Sequence, residues 1–175
     1  MSATFGFVEY RSFDRFEQEY IEEIQEQCRE LTQDHLWWSD PVMLYDKIEY
    51  PLYLTGDSHL LKGSLKGEYG LQRSVDLKDD LYLSLVDYSK LLEILSVLSA
   101  EHEIRWKLFR TMSSSLELTI GTIDNGEIGE SAIKHMTAIM TEAQLSHEDL
   151  LNTELHKEIY YKYYDENYEP IFEED

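Results

Sequence analysis

Cysteine is almost absent from this 175-residue chain, where Cys28 stands alone. One thiol cannot close an intramolecular disulfide, and it cannot assemble a cysteine-rich zinc or iron–sulfur site. It fits a reducing compartment, so a cytoplasmic location is expected. Proline (3) and glycine (8) are scarce while aromatic residues reach 13%, a balance that excludes a disordered chain. Long apolar runs are missing too. The richest, Leu91 to Leu98, is broken by Glu93 and Ser96, so no membrane-crossing helix is expected. Met1 to Tyr10 contains no basic residue and no long apolar core, which speaks against a secretory signal.

Positive charge is the scarcest commodity. Lys and Arg number 15 against 36 Asp and Glu, a formal net charge of −21. Direct nucleic-acid binding needs clustered cations to neutralise phosphates, and an anionic membrane would repel the chain. Neither partner is expected. The excess is uneven. Residues 1–61 hold 13 acids and 4 bases, residues 62–110 hold 8 of each, and residues 111–175 hold 15 acids and 3 bases. Two readings of the acidic flanks stay open: solvated helix faces that keep the protein dispersed, or a field that steers a basic partner.

Against these absences stands a hydrophobic content of 42%. A chain of this length buries roughly 70% of its unfolded surface, enough for a core without staples. No repeat or linker divides it, so residues 1–175 are expected to form one domain. Thr4 to Tyr10 reads as a buried strand. Phe13, Phe16, Tyr20, Ile24, Cys28 and Leu31 recur at spacings of three and four, which predicts a helix over 13–33. Cys28 lies on that stripe and should be a buried, inert thiol. Leu52 to Thr55 and Leu81 to Val86 read as strands. Asp87 or Ser89 would then cap a helix running to about Ala100. Residues 103–110 and 116–123 alternate polar and apolar, as in an antiparallel hairpin. Asn125-Gly126 is the clearest turn. A helix over 131–143 should bury Ala132, Ile133, Met136, Ile139, Met140 and Ala143. Ser146 and Asp149 resemble a capping pair that opens a last helix on Leu151, Leu155 and Ile159. The order predicts an α+β fold: a mainly antiparallel sheet with about four helices packed on it.

Sites for chemistry are hard to find. The chain lacks the Gly-x-Ser-x-Gly elbow, the phosphate loop and the Gly-x-Gly-x-x-Gly fingerprint. Its six histidines (His35, His59, His102, His135, His147, His156) include no pair four apart on a helix, so they read as surface or capping residues. Asp79-Asp80 reads as a turn before a strand. No catalytic residue, metal or cofactor is expected.

The unusual feature is an acidic, tyrosine-rich segment at about 159–175. It places Tyr160, Tyr161, Tyr163, Tyr164 and Tyr168 within nine residues. Tyrosine is enriched in interface hot spots. The segment is either a partner surface or a lid on the sheet. The candidate partner-binding residues are Tyr160, Tyr161, Tyr164, Asp165, Glu166 and Tyr168, with Trp37 and Trp38. Two adjacent tryptophans cannot both face one core from a regular element. Tyr163 continues the apolar stripe and should pack inward.

These features lead to an expectation of an acidic, non-enzymatic protein that binds a basic protein surface. Inhibitors or neutralisers of nucleic-acid-acting proteins, such as immunity proteins and phage anti-defence proteins, are comparable in size and charge. Two alternatives remain. One is a small enzyme or ligand-binding domain with a site assembled from scattered residues such as His102, Trp106 and Asp124. The other is a subunit of a larger assembly.

Overall fold

The structure is a computed structural model. It describes residues 3–9, 18–38, 42–44, 48–50, 52–57, 60–67, 76–111, 117–167 and 171, with side-chain surroundings for 22–38, 76–109, 119–167 and 171. The fold is α+β. A six-stranded antiparallel sheet has the order β4-β5-β1-β6-β7-β8. The strands are β1 (Ala3–Glu9), β4 (Leu52–Asp57), β5 (Leu60–Gly67), β6 (Trp106–Thr111), β7 (Glu117–Asp124) and β8 (Glu127–Ile128). A separate small hairpin joins β2 (Val42–Leu44) to β3 (Ile48–Tyr50). The first strand lies between two chain-local groups, the β4–β5 hairpin and the β6–β7–β8 meander. Five helices are present among the described residues: α1 (Gln18–Thr32), α2 (Leu77–His102), α3 (Glu130–Ala143), α4 (His147–Leu151) and α5 (Thr153–Tyr160).

The central element is α2. It touches β7 and β8 of the sheet, α1 and α3 at its flanks, and α4 and α5. Burial on so many sides shows in its residues. Tyr82, Leu83, Leu85, Val86, Asp87 and Tyr88 are all buried within seven positions. This corrects the strand expected at Leu81 to Val86. A helix buried all round shows no amphipathic period, and a short apolar run from it resembles a buried strand. The true start is Asp76, whose side chain accepts from the Lys78 N–H at 2.8 Å. Asp79 and Asp80 lie in the first helical turn rather than in a turn before a strand, where they oppose the positive end of the helix.

The β6–β7 hairpin forms as expected, with a register shift between Leu108 and Phe109. Asn125 (φ 50°) and Gly126 (φ 81°) turn the chain into β8. That turn is pinned to α2. Ser96 Oγ donates to the Gly126 carbonyl at 2.5 Å, and the Gly126 N–H donates to Ser99 Oγ at 3.2 Å. Across the sheet, Gly121 lets β7 meet α3. A Cβ there would lie 2.9 Å from the Ala132 nitrogen and 3.1 Å from its Cβ. Gly121→Val is therefore expected to push α3 off the sheet and cost about 1–3 kcal/mol, read as a lowered thermal midpoint. An unchanged midpoint would show that the two elements separate freely.

Two finer expectations are corrected in the helices, and the expected start of the first helix lies outside the described residues. The described α1 begins at Gln18; Ile24 and Cys28 are buried and Leu31 partly so, while Phe13 and Phe16 lie outside the described residues. In α3 Ala132, Met136, Met140 and Ala143 face the core, but Ile133 is exposed. The last helix is two helices. Ser146 and Asp149 do form a reciprocal capping box, at 2.8 and 3.3 Å. Asn152 then ends α4 and caps α5, its Oδ1 accepting from the Leu155 N–H at 3.1 Å. The break rotates the stripe, so Leu150 is buried and Leu151 is 78% exposed.

Candidate functional site

The densest polar chemistry among the described residues lies where the segment 33–38, the first half of α2, and α5 with its terminal turn meet. Asp87, 1% exposed, is its centre. A carboxylate this deep needs partners, and it has them. His35 Nε2 lies 2.9 Å from Asp87 Oδ1, and the Trp38 backbone N–H donates to Oδ2 at 2.9 Å. The Trp38 indole N–H donates to Asp80 Oδ1 at 3.0 Å, and the Trp37 indole N–H to the Thr32 carbonyl at 3.0 Å. Burial raises the Asp80 carboxyl above its usual range, and the Trp38 bond opposes the shift. Both tryptophans are thus tied by polar atoms. The chain after α1 folds back over α2, which buries Trp38 and leaves Trp37 half-buried.

The C-terminal helix closes over this layer. His156 of α5 is 8% exposed and stacks on His35 at 5.2 Å between ring centres. Tyr82 and Tyr160 flank it edge-on. One ring nitrogen is engaged by the Leu36 backbone, whereas Nε2 is buried with no hydrogen-bond partner. Burial first, and then His35, lower the His156 pKa to about 4, against the opposing pull of Asp87 and Leu36. Tyr160 and Tyr164 stack at 4.5 Å with planes 10° apart, and the Tyr164 hydroxyl donates to the Trp38 carbonyl at 3.1 Å. The Tyr163 hydroxyl donates to Asp79 Oδ2 at 2.7 Å and accepts from the Asp76 N–H at 3.3 Å. Burial and that carboxylate push the Tyr163 phenol up to about 12.

These positions revise the expected interface. Tyr160, Tyr164 and Trp38 are buried in the core of this structure. Tyr164 packs on both Tyr160 and Trp38, because the turn after α5 returns residue 164 above residue 160, with the Tyr164 N–H bonded to the Tyr160 carbonyl at 3.1 Å. Trp37 and Asp165 are half-buried, Tyr161 and Glu166 are exposed, and Tyr168 lies outside the described residues. Tyr163 is half-buried and anchored by its hydroxyl.

The surface-histidine reading is corrected as well. His35 and His156 belong to the buried cluster, and His102 bonds Gln27 at 2.6 Å. His135 sits edge-on to Tyr88, and only His147 is exposed among the described histidines. A signal for the cluster was present in the chain. Asp87 is the one carboxylate between Leu81 and Leu92, a stretch rich in apolar residues, and such a group must be buried with partners or mark a helix face.

The residues of the enzyme alternative are neighbours at the end of α2 and the β6–β7 hairpin, where Trp106 pairs with Ile123 and Arg105 meets Asp124 at 3.3 Å. Trp106 is fully buried with its indole bonded to the Leu95 carbonyl at 3.1 Å. His102 is held by Gln27, and Asp124 lies in a groove of about 430 Å³ with Asn125, Glu127, Gly129 and Glu130. That groove is polar and acidic. Burial pushes the Cys28 thiol up to about 12, so it stays protonated and is a poor nucleophile at neutral pH. Among the described residues no group of three or more His, Cys, Asp or Glu could hold a metal ion, and no helix is long and apolar enough to cross a membrane. No protein-family model, curated protein or solved structure matches the chain.

Proposed function

We propose that this chain is an acidic protein-binding protein whose partner presents a basic surface, and that it inhibits or neutralises a nucleic-acid-acting protein. Immunity proteins and phage anti-defence proteins provide the functional analogy. The observation that carries the reading is the solvent face of α1. Glu22, Glu23, Glu26 and Glu30 are exposed on one rigid helix, with Asp34 exposed just beyond it. Arg29 pairs with Glu26 at 2.8 Å, and no cation pairs with Glu22, Glu23, Glu30 or Asp34 among the described residues. Like charges at a spacing of four weaken an isolated helix by a few tenths of a kcal/mol. Burial of Ile24 and Cys28 on the opposite side offsets that. A fixed row of exposed carboxylates raises the encounter rate with a cationic cleft and repels phosphate backbones. The inert thiol and the engagement of His102 by Gln27 and of the buried Trp106 by the Leu95 carbonyl favour binding over catalysis.

The test starts with capture of the partner from the native cell, identified by mass spectrometry. Stopped-flow rates are then compared for the wild type and the quadruple variant E22K/E23K/E26K/E30K. The association rate should fall about 10–100-fold in the variant, and markedly between low and physiological salt in the wild type. Dissociation should change far less, and the melting temperature should hold. Association rates that ignore both salt and charge reversal would remove the electrostatic basis of the proposal.

A further inference from the structure

We infer that His156 is a pH-sensitive latch: protonation of its buried ring releases α5 and the turn after it from α2. Such a latch needs no partner and is independent of the binding proposal. His156 is more than nine-tenths buried, and its Nε2 meets no acceptor. A proton added there would create a buried cation with an unsatisfied donor. The groups around it offer little relief. From the segment 33–38 come the His35 ring, stacked at 5.2 Å, and the Leu36 backbone, already used by the other ring nitrogen. From α2 come the Tyr82 ring and the Asp87 carboxylate. From α5 itself comes the Tyr160 ring. α4 enters through the Asp149 carbonyl that holds the Tyr82 hydroxyl at 2.9 Å. One carboxylate therefore faces two imidazoles, and its Oδ1 is held by His35 while its Oδ2 is held by the Trp38 N–H.

The geometry sets the direction of the response. A protonated His156 is tolerated in water but not in the closed cluster, so acid favours the open form. The closed ring has its pKa near 4, and an open ring regains its ordinary value near 6.5. Opening thus takes up a proton between those two values. The closed form is fully favoured above the upper value and loses ground as pH falls toward the lower one. From pH 7 to pH 5 the opening equilibrium should rise about twentyfold. Opening uncovers Tyr160, Tyr164 and Trp38, three core aromatics.

Hydrogen-exchange protection factors on the full chain test this, with α3 as the internal reference. Amides of residues 156–164 should lose about twentyfold protection relative to α3 between pH 7 and 5. In His156→Phe, which keeps an aromatic ring in the stack, the relative loss should vanish. In His147→Gln, at an exposed histidine, it should remain. Loss shared equally by α3, or persisting in His156→Phe, would overturn the latch. Should His156→Phe fail to fold, NMR titration of the wild-type ring decides alone. A native midpoint below pH 5 supports the latch, and one at or above 6.5 refutes it.

Discussion

Asp87→Ala is expected to destabilise the protein by about 3–5 kcal/mol, because it strands two buried polar groups at about 1–3 kcal/mol each. The substitution leaves the Trp38 backbone N–H without its acceptor and His35 without its carboxylate, both in the interior. It also loosens the segment that buries Trp38 and supports His156. For a chain of this size the thermal midpoint should fall by roughly 10 °C. Asp87→Asn separates charge from hydrogen bonding. Its side-chain oxygen can still accept from the Trp38 N–H, so it should cost less than half as much, about 1–2 kcal/mol. Equal losses for the two variants would show that the charge, not the acceptor, holds the segment. A loss under 1 kcal/mol for Asp87→Ala would mean that water replaces the carboxylate and that the cluster is not a structural centre. Denaturant melts followed by tryptophan fluorescence read all three outcomes.

Tyr164→Ala should cost about 3–5 kcal/mol, as large aromatic truncations in a core do. The ring is 6% exposed, stacked on Tyr160 and edge-on to Trp38, and its hydroxyl holds the Trp38 carbonyl. Tyr164→Phe removes the hydroxyl bond to the Trp38 carbonyl and should cost about 1 kcal/mol. Tyr161→Ala, three residues earlier and 40% exposed, should shift the midpoint by a degree or two at most. The chain alone suggested that Tyr164 was a candidate partner-binding residue. If Tyr164→Ala melted like the wild type, the turn after α5 would be a detachable tail and not part of the core.

The contrast between Tyr161 and Tyr164 shows where sequence reasoning stops. The spacing Leu155, Ile159, Tyr163 describes one stripe of one continuous helix. The chain instead breaks at Asn152 and ends α5 at Tyr160, so 160 and 164 stack and 161 turns outward. A two-residue change in a helix boundary rotates the buried face by more than half a turn. Asp149 and Ser146 were legible as a capping pair because the pair is local, and Asn125-Gly126 was legible as a turn because its backbone demand is local. Asp79, Asp80 and Asp87 were not legible as acceptors, since their donors Tyr163, Trp38 and His35 lie 84, 42 and 52 positions away. Nothing in the chain pairs residues across such distances.

The sequence by itself determined the α+β class, the antiparallel hairpin before Asp124, the buried thiol of Cys28 and the acidic face of α1. Each follows from periodicity, turn chemistry or net charge within a few turns of chain. Only the tertiary structure decided that residues 81–86 are helical, that Tyr160, Tyr164 and Trp38 are core, and that His156 is buried against His35 above Asp87. The reason is that α2 is enclosed by the sheet and four other helices. Enclosure erases the amphipathic signal that sequence analysis depends on, and it turns polar residues that would otherwise meet water into partners of one another.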